Sequence, residues 1–222
     1  MRVLVTAGGT EEPIDGVRFI GNASSGATGL AIARALEEHG CQICLLHNWR
    51  VAVAGLACQT IAFRTFDDLA LALQAQLQRR HFDAVVHLAA VSDYRLVAIE
   101  LDGEPRPAGA DGKIASGHNL MLRLAPNPKL LDSLRRWSSN PVIRVVAFKL
   151  THDADPVARR QAVEELFVRG AADIVVHNDL AEIGPEHHQA TIHRPAGPVA
   201  TTHTRSGLAR RLVHLLDQDG RA

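Results

Sequence analysis

The chain has 222 residues, 46% of them apolar, enough to bury about 70 to 75% of the unfolded surface without disulfide or metal staples. Twenty-four Lys and Arg balance twenty-four Asp and Glu, which excludes the broad positive field of a nonspecific nucleic-acid or anionic-membrane binder, so any anion site must be local. No apolar run approaches the ~20 residues of a membrane span and no signal-peptide pattern opens the chain, so a cytoplasmic protein is expected.

The chain begins with a strand over residues 2–6 and a glycine turn, Ala7-Gly-Gly-Thr10. A long polar insert then reaches Asn22-Ala-Ser-Ser-Gly26 before a helix starts. A strand that ends in glycines, facing a helix that starts at Ser-Ser-Gly, makes an anion cradle, because free backbone N–H groups and the positive helix end both face the strand tip. Gly8, Gly9, Thr10, Ser24, Ser25 and Gly26 are the candidate phosphate-binding residues; N-capping is the structural alternative for the two serines. The insert adds Glu11, Glu12, Asp15, Arg18 and Asn22.

Leu30, Ile32, Ala33 and Leu36 give the first helix an apolar face that stops at His39-Gly40. Strands follow at 42–47 and near 61–63, then a helix at 66–80 and a buried strand at 84–88. Residues 95–119 break the rhythm and read as an irregular lid or interface arm. A helix at 128–137 with proline at its start, a strand at 144–148, a helix at 156–169 and a strand at 174–177 restore it. A hairpin (190–193 and 199–203, around Pro195-Ala-Gly-Pro198) and an amphipathic helix at 206–217 close the chain. Such alternation implies a Rossmann-like α/β fold over residues 1–222: one domain with a mostly parallel sheet, helices on both faces, and ligands at the carboxyl ends of the strands.

Several chemistries fit poorly. Cys41-Gln-Ile-Cys44 matches C-x-x-C but lies against a strand, where positions three apart point to opposite faces. The twelve histidines are scattered, and His187-His188 reads as a solvated loop. Neither G-x-G-x-x-G nor a P-loop is present, and the second strand ends in His47-Asn48 with no acidic ribose ligand. G-x-S-x-G is absent too.

The stretch from Val5 to Gly26 closely resembles the start of phosphopantothenate–cysteine ligases. Ala89-Ala-Val-Ser-Asp-Tyr94 is similar to that family's alanine-rich strand end, Lys113-Ile-Ala-Ser-Gly117 to its lysine motif, and Ala147-Phe-Lys-Leu150 and Asn178-Asp-Leu180 to its later strand ends. The resemblance runs in order over nearly the whole chain and is closest to the stand-alone bacterial form, without the flavin-dependent decarboxylase domain. It implies coenzyme A biosynthesis. The carboxylate of 4'-phosphopantothenate attacks the α-phosphate of CTP (or ATP), giving an acyl-nucleotide and pyrophosphate, and the amine of cysteine then displaces the nucleotide.

The resemblance also implies roles for individual residues. Lys113 and Asn22 are the expected catalytic residues, with Lys113 stabilising charge as the acyl-nucleotide forms and Asn22 binding that intermediate. Arg18 would pair with a substrate carboxylate or phosphate, or internally with Asp15 or Glu12. Asp93 would hold Mg2+ through triphosphate oxygens. Ala89 and Ala90 would approach the base, flanked by Phe148 and by the Pro128 to Leu131 segment. A homodimer is expected, with 95–119 at its interface. The chain departs from the family pattern at Ala27, Ala115 and Glu165, each where lysine is common. A working ligase is therefore weighed against a catalytically divergent nucleotide-binding relative, and against a nicotinamide-dependent reductase as a remote fold analogue.

Overall fold

A computed structural model describes residues 1–107, 109, 112–184 and 187–219. Asp111, read above as part of the irregular segment, lies outside the described residues. The chain runs through β1 (Arg2–Ala7), β2 (Glu11–Pro13), β3 (Phe19–Gly21), α1 (Ala27–Glu38), β4 (Gln42–Asn48), β5 (Gln59–Phe63), α2 (Phe66–Arg79) and β6 (Ala84–His87). It continues through β7 (Tyr94–Leu101), β8 (Glu104–Arg106), β9 (Leu120–Pro126), α3 (Leu134–Trp137), β10 (Arg144–Thr151) and α4 (Pro156–Val168). It ends with β11 (Ile174–Asp179), β12 (Ala190–Arg194), β13 (Gly197–Thr202) and α5 (Arg205–Asp219).

Eight strands form the central sheet in the order β13-β12-β11-β10-β6-β1-β4-β5. The six from β11 to β5 are parallel, and the β12–β13 hairpin joins antiparallel at one edge, as the strand–helix alternation predicts. Successive β1 residues feed opposite faces. Val3 and Val5 pack with Ile32 and Leu36 of α1 and Leu208 and Leu212 of α5, whereas Leu4 packs with Leu69 and Leu73 of α2 and Leu166 of α4. Both faces are thereby covered, which is why the parallel strands read as nearly continuous apolar runs.

Helix ends follow local chemistry. Thr65 and Asp68 form a reciprocal capping box at α2, and Asp155 caps α4 ahead of Pro156. Gly29 of α1 is held to glycine by packing, since a Cβ there would lie 2.6 Å from the Ala7 Cβ.

Three expectations need correction. The polar insert contains an antiparallel pair, β2–β3, rather than an unstructured loop. Residues 95–119 are not irregular throughout: β7, β8 and β9 make a three-stranded antiparallel sheet, turned at Asp102-Gly103, both at positive φ. Asp-Gly is a strong hairpin signal, but most β7 and β9 side chains are only partly covered, so no apolar–polar alternation advertises the strands. Finally, 128–137 is a 3-10 turn over Leu130–Ser133 followed by the four-residue α3. The proline at 128 biases Asn127 toward extended backbone and delays the helix.

Candidate functional site

β1 lies between β4 and β6, and the chain leaves it first toward β4, so the β1/β6 boundary is the topological switch point of the parallel sheet. The glycine turn extends the β1–β6 pairing beyond the strand ends: Thr10 donates its N–H to the Ala90 carbonyl at 3.1 Å and Ala90 donates to that of Gly8 at 2.9 Å. Gly8 has φ +89° with the Asn48 Cβ against it, and a Cβ on Gly9 would meet the Asn22 carbonyl oxygen at 2.6 Å. Asn48 ends β4 as a brace for this turn, its Nδ2 donating to the Gly9 carbonyl at 2.7 Å.

Across the turn, α1 begins at Gly26 with φ +73° and no side-chain cap. Ser24 and Ser25 are exposed, and the Ser25 hydroxyl oxygen accepts the Ala27 N–H at a long 3.4 Å. Neither serine is the N-cap residue, so the first amides of α1 keep most of their donor capacity. Asn22 is exposed beside them and donates from Nδ2 to the Val91 carbonyl at 3.2 Å.

Five of the predicted nucleotide-binding residues come together. Ala89, Asp93, Pro128, Leu131 and Phe148 line one cavity of 140 Å³, together with His87 and Lys129, which sequence reasoning missed. Asn127 holds the cavity's edge by donating to the Ser92 carbonyl, and Ser92 donates its hydroxyl to that of Tyr94. Asp93 is exposed and ion-paired with Lys129. The proximity of Lys129 to Pro128 in the predicted segment was the available signal for it.

Lys113 does not line that cavity. It is exposed and lines a separate 320 Å³ cavity with Asp15, Arg106 and His118. Its loop is held by the insert. The Asp15 carboxylate accepts the N–H groups of Val17, Arg18 and Ile114 at 2.8, 2.7 and 3.1 Å. The Gly16 N–H donates to the Gly112 carbonyl at 2.8 Å. Backbone hydrogen bonds, from Arg18 first and then Val17, hold the Asp15 pKa down to about 2. Of the alternatives for Arg18, the internal pair with Asp15 forms, at 3.1 Å, and the same guanidinium donates to the Ile114 carbonyl. Glu11 is structural: it is buried and paired with Arg50 and Arg64.

His188 corrects the solvated-loop expectation. It is buried, with Nε2 3.5 Å from both the Thr28 hydroxyl of α1 and Asn178 Nδ2, and burial lowers its pKa. His187 is exposed and stacks on His203. The departures Ala27 and Ala115 lie on the α1 end and the Lys113 loop, whereas Glu165 is exposed on α4. A larger cavity, 460 Å³, opens between α4 and the β12–β13 hairpin, and none of the predicted site residues lines it.

Comparison with known proteins fits this arrangement. The family model for the DNA/pantothenate metabolism flavoprotein C-terminal domain matches residues 1–218. Coenzyme A biosynthesis bifunctional protein CoaBC of Thermococcus kodakarensis is 34% identical over 191 residues, 86% of this chain and 44% of that protein. The chain spans less than half the length of the curated relatives it matches most extensively. The crystal structure of the DNA/pantothenate metabolism flavoprotein from Streptococcus pneumoniae superposes with a TM-score of 0.86 at 27% identity, covering 99% of each chain. The Cab2 H337A mutant in complex with phosphopantothenate-cysteine shares the fold, with a TM-score of 0.72 at 17% identity over 100% of this chain and 89% of that one. With its cradle, alanine-rich strand end and lysine segment in the order read from the sequence, the chain belongs to the DNA/pantothenate metabolism flavoprotein C-terminal domain family.

Proposed function

We propose that this chain is a ligase of coenzyme A biosynthesis that joins 4'-phosphopantothenate to cysteine through an acyl-nucleotide, acting as one domain in the cytoplasm. The observation that carries it is the meeting of Ala89, Asp93, Pro128, Leu131 and Phe148 around one cavity at the switch point, next to an uncapped helix N-terminus. Family membership and the Cab2 complex with phosphopantothenate-cysteine support the substrate assignment.

The nucleoside triphosphate, CTP or ATP, sits with its base toward Ala89, Ala90 and Phe148 and its phosphates toward Gly8, Gly9, Thr10 and the Ser24 to Gly26 end of α1. Asp93, released from its ion pair with Lys129, would hold Mg2+, and the ion would supply positive charge to the triphosphate. Arg18 and Asn22 bind the acid, whose carboxylate oxygen attacks the α-phosphorus as the bond to pyrophosphate breaks. Lys113 neutralises the charge that accumulates in this step, which requires its loop to face the cradle. The amine of cysteine then attacks the acyl carbon, the acyl–phosphate bond breaks to release the nucleoside monophosphate, and the amine loses its proton. Asn22 suits this step because its amide both donates to an oxyanion and accepts from an amine. Lys129 supplies a cation that the departures at Ala27 and Ala115 remove from elsewhere.

A homodimer completes the proposal. Tyr94 and Leu124, which the strand pairing places on one face of the three-stranded sheet, are exposed, an apolar surface suited to a second copy. Among the described residues no helix is long and apolar enough to cross a membrane.

The test is pyrophosphate release from 4'-phosphopantothenate, Mg2+ and CTP or ATP, followed by addition of cysteine. Release with either nucleotide, and product only after cysteine, is expected. No pyrophosphate with either nucleotide overturns the ligase and leaves a divergent binding relative.

A further inference from the structure

His87 ends β6 and forms part of the wall of the 140 Å³ cavity, with 8% of its surface exposed. Its Nδ1 lies 3.1 Å from the Thr6 hydroxyl oxygen. That oxygen already accepts two backbone N–H groups, from Leu88 at 3.1 Å and Ala89 at 2.9 Å. A threonine hydroxyl has two acceptor lone pairs and one hydrogen. With both lone pairs filled, the hydrogen can only go to His87 Nδ1, which is therefore an acceptor. The ring proton resides on Nε2. Burial pushes the imidazole down to about 4, so the ring stays neutral near pH 7. Nε2 has no hydrogen-bond partner among the described residues, and it is not among the fully buried polar atoms left without one. The wall of the cavity thus carries one oriented N–H donor beside Ala89 and Phe148.

We propose that His87 is a specificity-determining residue whose Nε2–H donates to an unprotonated ring nitrogen or carbonyl oxygen of the nucleobase. This rests on the nucleotide reading of the cavity. Thr6 acts as a positioning residue: by donating to Nδ1 it fixes the tautomer, and by accepting from Leu88 and Ala89 it fixes the backbone that flanks the base. The donor comes from the strand itself rather than from a mobile loop, so the base is read by a group whose position is set before binding.

Calorimetric titration of the full chain with CTP, with ATP and with ribose 5-triphosphate, which lacks a base, tests this. His87→Leu removes the donor, and His87→Gln keeps an acceptor for Thr6 and a donor for the cavity. Binding of the better nucleotide is expected to weaken roughly tenfold in His87→Leu and to be largely restored in His87→Gln, with ribose 5-triphosphate binding unchanged in both. Equal weakening for nucleotide and ribose 5-triphosphate, or no weakening in a folded His87→Leu, overturns the role of His87. Failure of the wild-type chain to bind either nucleotide overturns the nucleotide reading itself.

Discussion

The carboxylate of Asp15 accepts the backbone N–H of Ile114 at 3.1 Å across 99 residues of sequence, tying the insert after β1 to the residue next to Lys113. Asp15 also holds the Arg18 guanidinium, so one buried carboxylate positions both a proposed substrate ligand and the proposed catalytic lysine loop. Asp15→Asn replaces one accepting oxygen with a donor and removes the ion pair. It should lower the rate of pyrophosphate release at least tenfold, and the Asp15→Asn/Lys113→Ala double mutant should be little worse than Lys113→Ala, because coupled residues are non-additive.

Lys113→Ala should reduce acyl-nucleotide formation by on the order of a hundredfold, the scale of losing one charge-stabilising group. Its melting temperature should stay unchanged, since Lys113 is exposed. Asn22→Ala should instead let acyl-nucleotide accumulate and slow its conversion after cysteine is added, seen in quenched-flow product analysis. Wild-type rates in either variant remove the corresponding role.

The Lys129–Asp93 pair is exposed on both sides, and exposed pairs contribute about 0 to 1 kcal/mol. Lys129→Ala should therefore leave urea unfolding nearly unchanged while raising the KM for nucleotide. A fall in stability with no change in KM would make the pair structural.

Acid stability tests two groups of opposite kind. His87 has a folded pKa of about 4 against an ordinary 6.5. Its contribution is intact above the ordinary value and is lost as pH falls toward 4, because the unfolded chain takes up the proton first. At about 1.4 kcal/mol per pH unit the loss is on the order of 3 kcal/mol. Asp15, held at about 2 against 3.8, should lose its contribution only below the ordinary carboxylate value. Urea unfolding between pH 7 and pH 4.5 should show a steeper decline in wild type than in His87→Gln, and no such difference for Asp15→Asn.

Much of this architecture is legible in the residues, for a physical reason. Parallel strands buried on both faces, such as Val3 to Val5 and Val145 to Ala147, must be apolar throughout. The three-stranded sheet bears no such imprint because it is not buried, and Asp102-Gly103 alone marked its turn. Motif residues close in sequence, Ala89 and Asp93 for example, were readable as a group. Asp15 to Ile114 and Thr6 to His87 were not, since each joins groups far apart along the chain and leaves no spacing to detect.

The glycine turn has a wider consequence. A Cβ at Gly8, Gly9, Gly26 or Gly29 would approach a neighbouring atom to 2.7 Å or less, so these walls of the cradle are bare main chain under steric lock. Gly9→Ala should cost about 1 to 3 kcal/mol by overpacking and displace Asn22. A wall of peptide groups cannot be recharged by substitution. Adaptation to a different base or acid is thereby channelled to the rim, to side chains such as His87, Lys129 and Phe148 that project past the locked backbone, and ancestry in the cradle can persist while preference at its edge drifts.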